Sequence, residues 1–308
     1  MEFSTITHVE PDALLDFEAD VFITTLGFES RGTHIARIIE GKQCRKIALS
    51  RTDHLKEHSF GNNQAYYSEN GYEIIPVELG IPDPEVLLSD WKQSRLRILL
   101  DCTSMSPKWY YEFLSWFNES QNRFEEVHLR IAYTMASYSG TDQARKVKGL
   151  TDFVGNLKAT GEYKQKALIL GLGHEKQIGS SIYQAIKPDL LYLFYADPPV
   201  HKEFVEKVFV NNHALIESTS IRNLIAYPIR NGQAIYQSLI DTILPLRHRY
   251  DVIMVPHGPK IFSLVTMLVH LGYPDTLVSY PDFKKPPARD RIASGEPVLL
   301  DLVFESEE

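Results

Sequence analysis

Short apolar runs of strand length alternate with amphipathic segments along almost the whole chain. Several of these runs, such as 97–101, are apolar on both faces, which is typical of parallel strands that are covered by helices on each side. The runs predict strands at 20–26, 44–50, 72–79, 96–102, 125–137, 166–172, 189–196, 223–229, 251–256, 276–281 and 297–304.

The segments between the strands carry apolar side chains at a spacing of three and four residues, which predicts helices. Asp83 lies near the expected N-cap of one helix, and Pro245 is expected to bend another. The predicted helices cover residues 33–42, 54–71, 83–94, 106–120, 174–187, 198–209, 232–249 and 259–272. This alternation predicts an α/β fold of two Rossmann-like, doubly wound units with mainly parallel sheets.

The two halves of the chain repeat one order of features. In each half, a first strand ends in a glycine turn, and a later strand leads into a polar turn, a Pro-Lys pair and an apolar helix. Aligning the later features places Lys108 opposite Lys260. We therefore expect an internal duplication, with units at 1–145 and 166–308 and a connector at 146–165. The units are expected to face each other across a pseudo-twofold axis, with both lysines at a shared mouth.

Composition and charge narrow the classes of function. With 308 residues, 44% of them hydrophobic, the chain can bury the cores of two domains. A formal net charge of −8 argues against coating long nucleic acid, which needs a basic excess. The two cysteines, Cys44 and Cys102, exclude a disulfide framework and fit a reducing compartment. No apolar run has the length of a membrane span and no signal peptide is visible, so we expect a cytoplasmic protein without a membrane partner.

Polar residues follow the first and fourth predicted strands of the first unit. In an open parallel sheet, ligands bind beyond the carboxyl ends of the strands. The candidate ligand-binding residues there are Gly27, Glu29, Arg31, Asp101, Thr103, Ser104 and Lys108. We expect Arg31 and Lys108 to bind phosphate, and Glu29 or Asp101 to bind a ribose hydroxyl or a base amine. The alternative is that Glu29 and Arg31 pair with each other and a serine caps the next helix.

The corresponding turns of the second unit give a second set of candidates. They are Gly171, Gly173, His174, Glu175, His257, Gly258 and Lys260. The first two glycines permit close approach of the backbone to a ligand. Lys260 opposes the dipole of its helix, so we expect either a bound anion or a neighbouring carboxylate beside it. His174 and His257 are candidate acid–base residues, with a structural role as the alternative.

Motifs of common cofactors and metals are missing from the sequence. The glycines at 171, 173 and 179 do not form the dinucleotide fingerprint GxGxxG, and there is no GxxxxGK[ST], GxSxG or HExxH motif. We therefore expect no cofactor and no metal. A proline-rich loop at 280–291 carries four basic residues, and we expect it either to cover the pocket or to lie in solvent.

Asp101, Thr103 and Lys108 also carry a resemblance to a known superfamily. Together with the small-residue turn after the first strand, they resemble the CRISPR-associated Rossmann-fold (CARF) sensors and their duplicated, SAVED-type relatives. In those families an Asp-x-Thr-Gly-Gly-Thr-Lys turn lies under a cyclic oligonucleotide, whereas this chain has Ser104 and Met105 in place of the two glycines. The resemblance implies a sensor of a nucleotide second messenger in antiviral defence, and some members also cleave the messenger.

These observations predict a nucleotide or cyclic oligonucleotide as ligand, and a separate effector protein as partner because the chain has no room for an effector domain. The alternative hypothesis is an enzyme that hydrolyses a nucleotide in the same cleft. It would be a phosphodiesterase, a ring nuclease or a glycosidic-bond hydrolase. Its acid or base would be Glu29, Asp101 or His257. A third hypothesis is a scaffold subunit that binds a partner protein. Formation of a homo-oligomer is also compatible with the sequence.

Overall fold

Two compact units make up the chain. The structure, a computed structural model, describes residues 2–51, 55–77, 80–119, 123–137, 147–154, 165–198, 202–283 and 289–306. Unit 1 comprises Met1–Ser139 and Pro287–Glu308, and unit 2 comprises Gly140–Pro286. Each unit contains one mostly parallel β-sheet with helices in its connections. The predicted α/β class is therefore confirmed.

Most of the strands coincide with the apolar runs of the sequence. The strands are β1 (Glu2–Val9), β2 (Val21–Leu26), β3 (Arg45–Arg51), β4 (Glu73–Val77), β5 (Arg95–Asp101), β6 (Glu126–Tyr133), β7 (Val147–Val154), β8 (Gln165–Gly171), β9 (Leu190–Ala196), β10 (Leu224–Tyr227), β11 (Tyr250–Val255), β12 (Leu277–Phe283) and β13 (Val298–Glu305). The helices are α1 (His34–Ile38), α2 (Phe60–Glu69), α3 (Pro84–Leu87), α4 (Pro107–Glu119), α5 (Ile178–Ile186), α6 (Lys202–Asn211), α7 (His213–Glu217), α8 (Gly232–Ile243) and α9 (Lys260–Gly272). Within the described residues, no helix has both the length and the apolar character needed to cross a membrane.

The sheet of unit 1 has seven strands in the order β1-β13-β6-β5-β2-β3-β4. The strands from β6 to β4 in this order pair in parallel, whereas β13 is antiparallel to both of its neighbours. β2 lies between β3 and β5, and all of its residues are buried. Phe22 and Leu26 of β2 pack with Tyr67 of α2 in the apolar core of this unit.

The sheet of unit 2 has six strands in the order β10-β9-β8-β11-β12-β7. β8 pairs in parallel with β9 and β11, and β7 is antiparallel to β12. Leu168 and Leu170 of β8 pack with Ile178 and Ile182 of α5 in a second apolar core. Burial on both faces explains why residues 167–170 of β8 form an unbroken apolar run in the sequence.

The parallel parts of the two sheets have the same strand order. Numbered within each unit, the order is 3-2-1-4-5, which is β4-β3-β2-β5-β6 in unit 1 and β10-β9-β8-β11-β12 in unit 2. In both sheets an antiparallel strand, β13 or β7, follows the fifth strand. The strand order of such doubly wound folds reverses beside the first strand. The shared order agrees with the predicted pair of Rossmann-like units.

Two strands lie elsewhere than the sequence pattern indicated. The connector predicted at 146–165 contains β7, which is an edge strand of the unit 2 sheet. The last predicted strand, 297–304, is β13, and it hydrogen-bonds to β6 and β1 of unit 1. The C-terminal segment therefore belongs to unit 1, and the units differ from the predicted ranges 1–145 and 166–308.

Several helices are shorter than their amphipathic patterns. Asp83 caps α3 as expected, because its carboxylate accepts the N–H groups of Glu85 and Val86, but the helix has only four residues. The long helix that was expected to bend at Pro245 ends before it instead, as α8. Proline has no N–H with which to continue the hydrogen-bond pattern of a helix.

Candidate functional site

Two turns of unit 1 meet beyond the carboxyl ends of β2 and β5, where its strand order reverses. The turn after β2 carries Gly27, Glu29 and Arg31, and the turn after β5 carries Ser104. A Cβ atom on Gly27 would lie 3.1 Å from the Cβ of Ser104, so the absence of a side chain lets the turns touch. The structure thus brings these predicted residues together at one edge of the sheet.

Asp101, the last residue of β5, stabilises the turn after β5 through buried hydrogen bonds. Its carboxylate accepts hydrogen bonds from the Thr103 N–H (2.9 Å) and from the Thr24 hydroxyl (3.0 Å). The Thr103 hydroxyl accepts the N–H of Thr134 (2.9 Å). Asp101 and Thr103 are each 1% exposed. They therefore shape the turn from below its surface.

Glu29 and Arg31 pair with each other, which was the alternative to phosphate binding. Arg31 Nε lies 2.7 Å from a carboxylate oxygen of Glu29, and Arg31 Nη1 donates to the carbonyl of Thr134 (2.6 Å). Arg291 donates to the other carboxylate oxygen of Glu29 (3.0 Å). Burial alone would lower the pKa of Arg31, but its interactions with Tyr133 and Glu29 raise that pKa above the ordinary value. Arg31 is 4% exposed, so it binds phosphate only if this pair opens.

Ser104 and Lys108 have hydrogen-bonding capacity that the described residues do not use. The Ser104 hydroxyl is buried beside Gly27 and Gly32 and has no partner in this part of the chain. Lys108, in the first turn of α4, is exposed and makes no hydrogen bond or ion pair with the described residues. The N–H groups at a helix N-terminus attract anions. An anion beside Lys108 would therefore also compensate the lysine charge.

Residues that the sequence analysis did not single out complete this site. The Asn63 side chain of α2 donates to the carbonyls of Gly27 and Glu29, at 2.9 Å each, and so fixes the turn after β2. Thr24 donates a hydrogen bond to Asp101, and Arg291 donates one to Glu29.

Thr24 could have been noticed in the sequence, because it is one of two adjacent threonines in an otherwise apolar strand. Asn63 is distant in sequence and gave no such indication. Arg291 is the last residue of the basic loop at 280–291 that was expected either to cover the pocket or to lie in solvent, and it contacts Glu29 at the candidate site, whereas residues 284–288 of that loop lie outside the described residues.

The turns of unit 2 meet in a similar way beyond β8 and β11. Gly173 and Glu175 follow β8, and His257 follows β11. His257 Nε2 lies 3.2 Å from a carboxylate oxygen of Glu175, and the two side chains are 10% and 18% exposed. A Cβ atom on Gly173 would lie 2.6 Å from Glu175 Oε2 and 2.7 Å from His257 Nε2. These three predicted residues therefore form one packed group.

The carboxylate of Glu175 is held in its charged form. Burial alone would raise its pKa, but the hydrogen bond and charge of His257, together with the charge of His174, lower it to about 2. A histidine that a buried carboxylate orients is a common arrangement for general-base catalysis. The same pair also links the two turns of this unit. Chemically, the group can orient an imidazole beside a charged carboxylate.

The other predicted residues of unit 2 lie on the same two turns. Gly171 packs against Phe262 of α9. Gly258 has a φ of 152°, and a Cβ there would lie 3.1 Å from the Leu172 carbonyl oxygen, so this position requires glycine. The ring of His174 contacts Phe204, with 5.3 Å between the centroids. Lys260 begins α9, and it therefore occupies the position in unit 2 that Lys108 has in unit 1.

Replacing Gly173 by alanine should destabilise unit 2 by about 1–3 kcal/mol, because the new methyl group would push Glu175 and His257 apart. Hydrogen exchange of peptides from β8 and β11 measures this loss. Gly149 of β7 is the control, since a Cβ atom there would meet nothing within 4 Å. Its alanine variant should change stability by less than about 0.5 kcal/mol, and equal effects of the two substitutions would contradict the packing described here.

The described residues of these turns form no metal site, and the comparisons assign the chain to no family. Among the residues that the structure describes, no group of three or more histidine, cysteine, aspartate or glutamate side chains could hold a metal ion. The resemblance to nucleotide sensors stays a prediction from Asp101, Thr103 and Lys108. In the comparisons with known proteins, the chain matches no protein-family model and no curated protein.

Proposed function

We propose that this protein binds a phosphorylated nucleotide at the sheet edges where the strand order reverses. One observation carries the proposal. Both units have the order 3-2-1-4-5, and in both the candidate residues lie on the two turns that flank the reversal. Open parallel sheets bind ligands there, because connections that leave in opposite directions open a crevice between neighbouring turns.

Lys108 is the residue that we assign to phosphate in unit 1. Its ammonium group is exposed in the first turn of α4 and is unbonded within the described residues, so a phosphate oxygen can accept a charge-assisted hydrogen bond from it. The Ser104 hydroxyl is buried, so it becomes a second donor only if the turn after β5 moves to expose it. Lys260 has the equivalent place in unit 2. Binding of one ligand by both lysines stays a prediction.

Signalling by a cyclic oligonucleotide is the context that we propose for this binding. The support is the resemblance of Asp101, Thr103 and Lys108 to the ligand-binding turn of CARF and SAVED-type sensors. In that context the protein acts through a separate effector protein. Asp101 and Thr103 would shape the turn without touching the ligand, as their burial suggests.

Replacing Lys108 by alanine should weaken nucleotide binding roughly ten- to a hundredfold, because a hydrogen bond to a charged group contributes about 1.5–3 kcal/mol. Isothermal titration calorimetry against nucleotides and cyclic oligonucleotides measures the effect. The matched control is Lys92→Ala, which removes an exposed lysine beyond α3 and should leave affinity unchanged. If the wild-type protein binds no member of the panel, the proposed function is wrong.

A nucleotide hydrolase is the second candidate, and the Glu175–His257 pair favours it. A buried carboxylate that orients an imidazole suits removal of a proton from water or from a ribose hydroxyl. Chromatography of the nucleotide after incubation separates the two candidates, because a binding protein returns its ligand unchanged. Product formed by the wild type and lost in Glu175→Gln would support the hydrolase.

A further inference from the structure

Residues 289–294 lie against the turn after β2 in unit 1, and we call them the strap. The Arg31 N–H donates to the carbonyl of Arg291 (3.0 Å). At Ile292 and Ser294 the strap also makes backbone hydrogen bonds to the segment that follows β6. The strap therefore joins the end of β6 to the turn where we place the ligand.

The carboxylate of Asp290 is the strap's polar contact with the side chains of this turn. Its Oδ1 accepts the Ser30 N–H (2.6 Å), and its Oδ2 accepts the Ser30 hydroxyl. The Ser59 hydroxyl lies 3.4 Å from the same Oδ2 and 2.8 Å from the Ser30 hydroxyl. One backbone N–H and two hydroxyl groups therefore converge on a single exposed carboxylate.

The environment of Asp290 favours a negative charge at this point. Burial alone would raise the pKa of Asp290, but the hydrogen bonds from Ser30, the backbone of Arg291 and the charge of His58 lower that pKa below its ordinary value. Backbone N–H groups and serine hydroxyls are also donors that proteins use for phosphate oxygens. A carboxylate with two oxygens can replace two oxygens of a phosphate group in such a set.

We propose that Ser30 and Ser59 form an anion-binding site that Asp290 of the same chain occupies, so that a phosphate group binds there only when the strap moves away. For a nucleotide, this inference rests on the proposed function. The anion site itself can be tested with inorganic pyrophosphate alone.

The test is titration of pyrophosphate, and of the nucleotide panel, into the wild type and Asp290→Ala. Asp290→Ala should bind pyrophosphate at least about tenfold more tightly, because the site no longer depends on the fraction of molecules with an open strap. Asp16→Ala is the matched control. It removes one exposed carboxylate that makes no hydrogen bond or ion pair with the described residues, and any general effect of net charge on affinity appears there too.

A second variant identifies the donors. Adding Ser30→Ala and Ser59→Ala to Asp290→Ala should abolish the gain in pyrophosphate affinity, because both hydroxyl donors are then lost. If pyrophosphate binds Asp290→Ala no better than Asp16→Ala, the strap inference is wrong.

The titrations with nucleotides distinguish a failure of this inference from a failure of the proposed function. Tight pyrophosphate binding by Asp290→Ala, with no nucleotide bound by any variant, would support the strap inference and overturn the proposed function. Equal nucleotide affinity of the wild type and Asp290→Ala, with no gain for pyrophosphate, would overturn the strap inference and leave the proposed function in place.

Discussion

Replacing Glu29 by alanine should lower the free energy of unfolding of unit 1 by about 3–5 kcal/mol, because it leaves a buried cation without its counter-charge. Arg31 would keep the carbonyl of Thr134 as a partner, but a carbonyl does not neutralise a guanidinium group. All three tryptophans of the chain lie in unit 1. Denaturant unfolding followed by tryptophan fluorescence therefore measures this unit.

Two further variants show whether the buried pair is the cause. Glu73 bonds to Arg45 on the surface (2.9 Å) with its side chain 52% exposed, so Glu73→Ala should cost less than about 1 kcal/mol. The double variant with methionine at Glu29 and Arg31 should lose less than Glu29→Ala, because it leaves no unpaired charge. A small loss for Glu29→Ala would mean that the pair is open in solution, and Arg31 would again be a candidate for phosphate binding.

The parallel strands could be predicted closely because burial on both faces leaves a continuous apolar run. The run at 20–26 became β2, Val21–Leu26, and the run at 251–256 became β11, Tyr250–Val255. The antiparallel edge strands β1 and β7 could not be found in this way. β1 pairs with β13 alone in the sheet order, and its sequence mixes polar with apolar residues, so it lacks the signal of a buried strand.

The sheet to which the last strand belongs could not be predicted either. An apolar run indicates a strand but does not identify its neighbours, and β13 pairs with strands that are far away in sequence, β1 and β6. The repeated order of features suggested that the chain's second half would be self-contained. The antiparallel neighbour of the fifth strand comes instead from the C-terminus in unit 1 and from before the first parallel strand in unit 2.

The location of the candidate site could be predicted, but the roles of its charged residues could not. Parallel strands end at a common edge, so the turns at Gly27 and Asp101 were expected at one edge of the sheet once the strands were recognised. That the two turns are neighbours follows from the pairing of β2 with β5 in the structure. A glutamate two residues from an arginine fits either a ligand site or an internal ion pair. The structure favours the ion pair because Arg291, 262 residues from Glu29 in sequence, also bonds to that carboxylate.

The contribution of Glu175 to stability should depend on pH, and the sign follows from its lowered pKa. The pKa falls from an ordinary value of 4.5 to about 2 in the folded protein. The charged form is therefore favoured by folding, so the stabilisation is present above pH 4.5 and is lost as the pH falls toward 2. The full shift corresponds to about 3 kcal/mol at neutral pH, and less than half of that remains at about pH 3.

Hydrogen exchange of β8 and β11 peptides at several pH values tests this dependence in unit 2. The difference in stability between the wild type and Glu175→Gln should shrink steadily between about pH 6 and pH 3, because glutamine cannot carry the charge that the folded state favours. Glu203→Gln is the matched control, since Glu203 is exposed on α6 of the same unit and should show no such trend. A difference that stays constant over this range would mean that Glu175 and His257 do not pair as the structure has them.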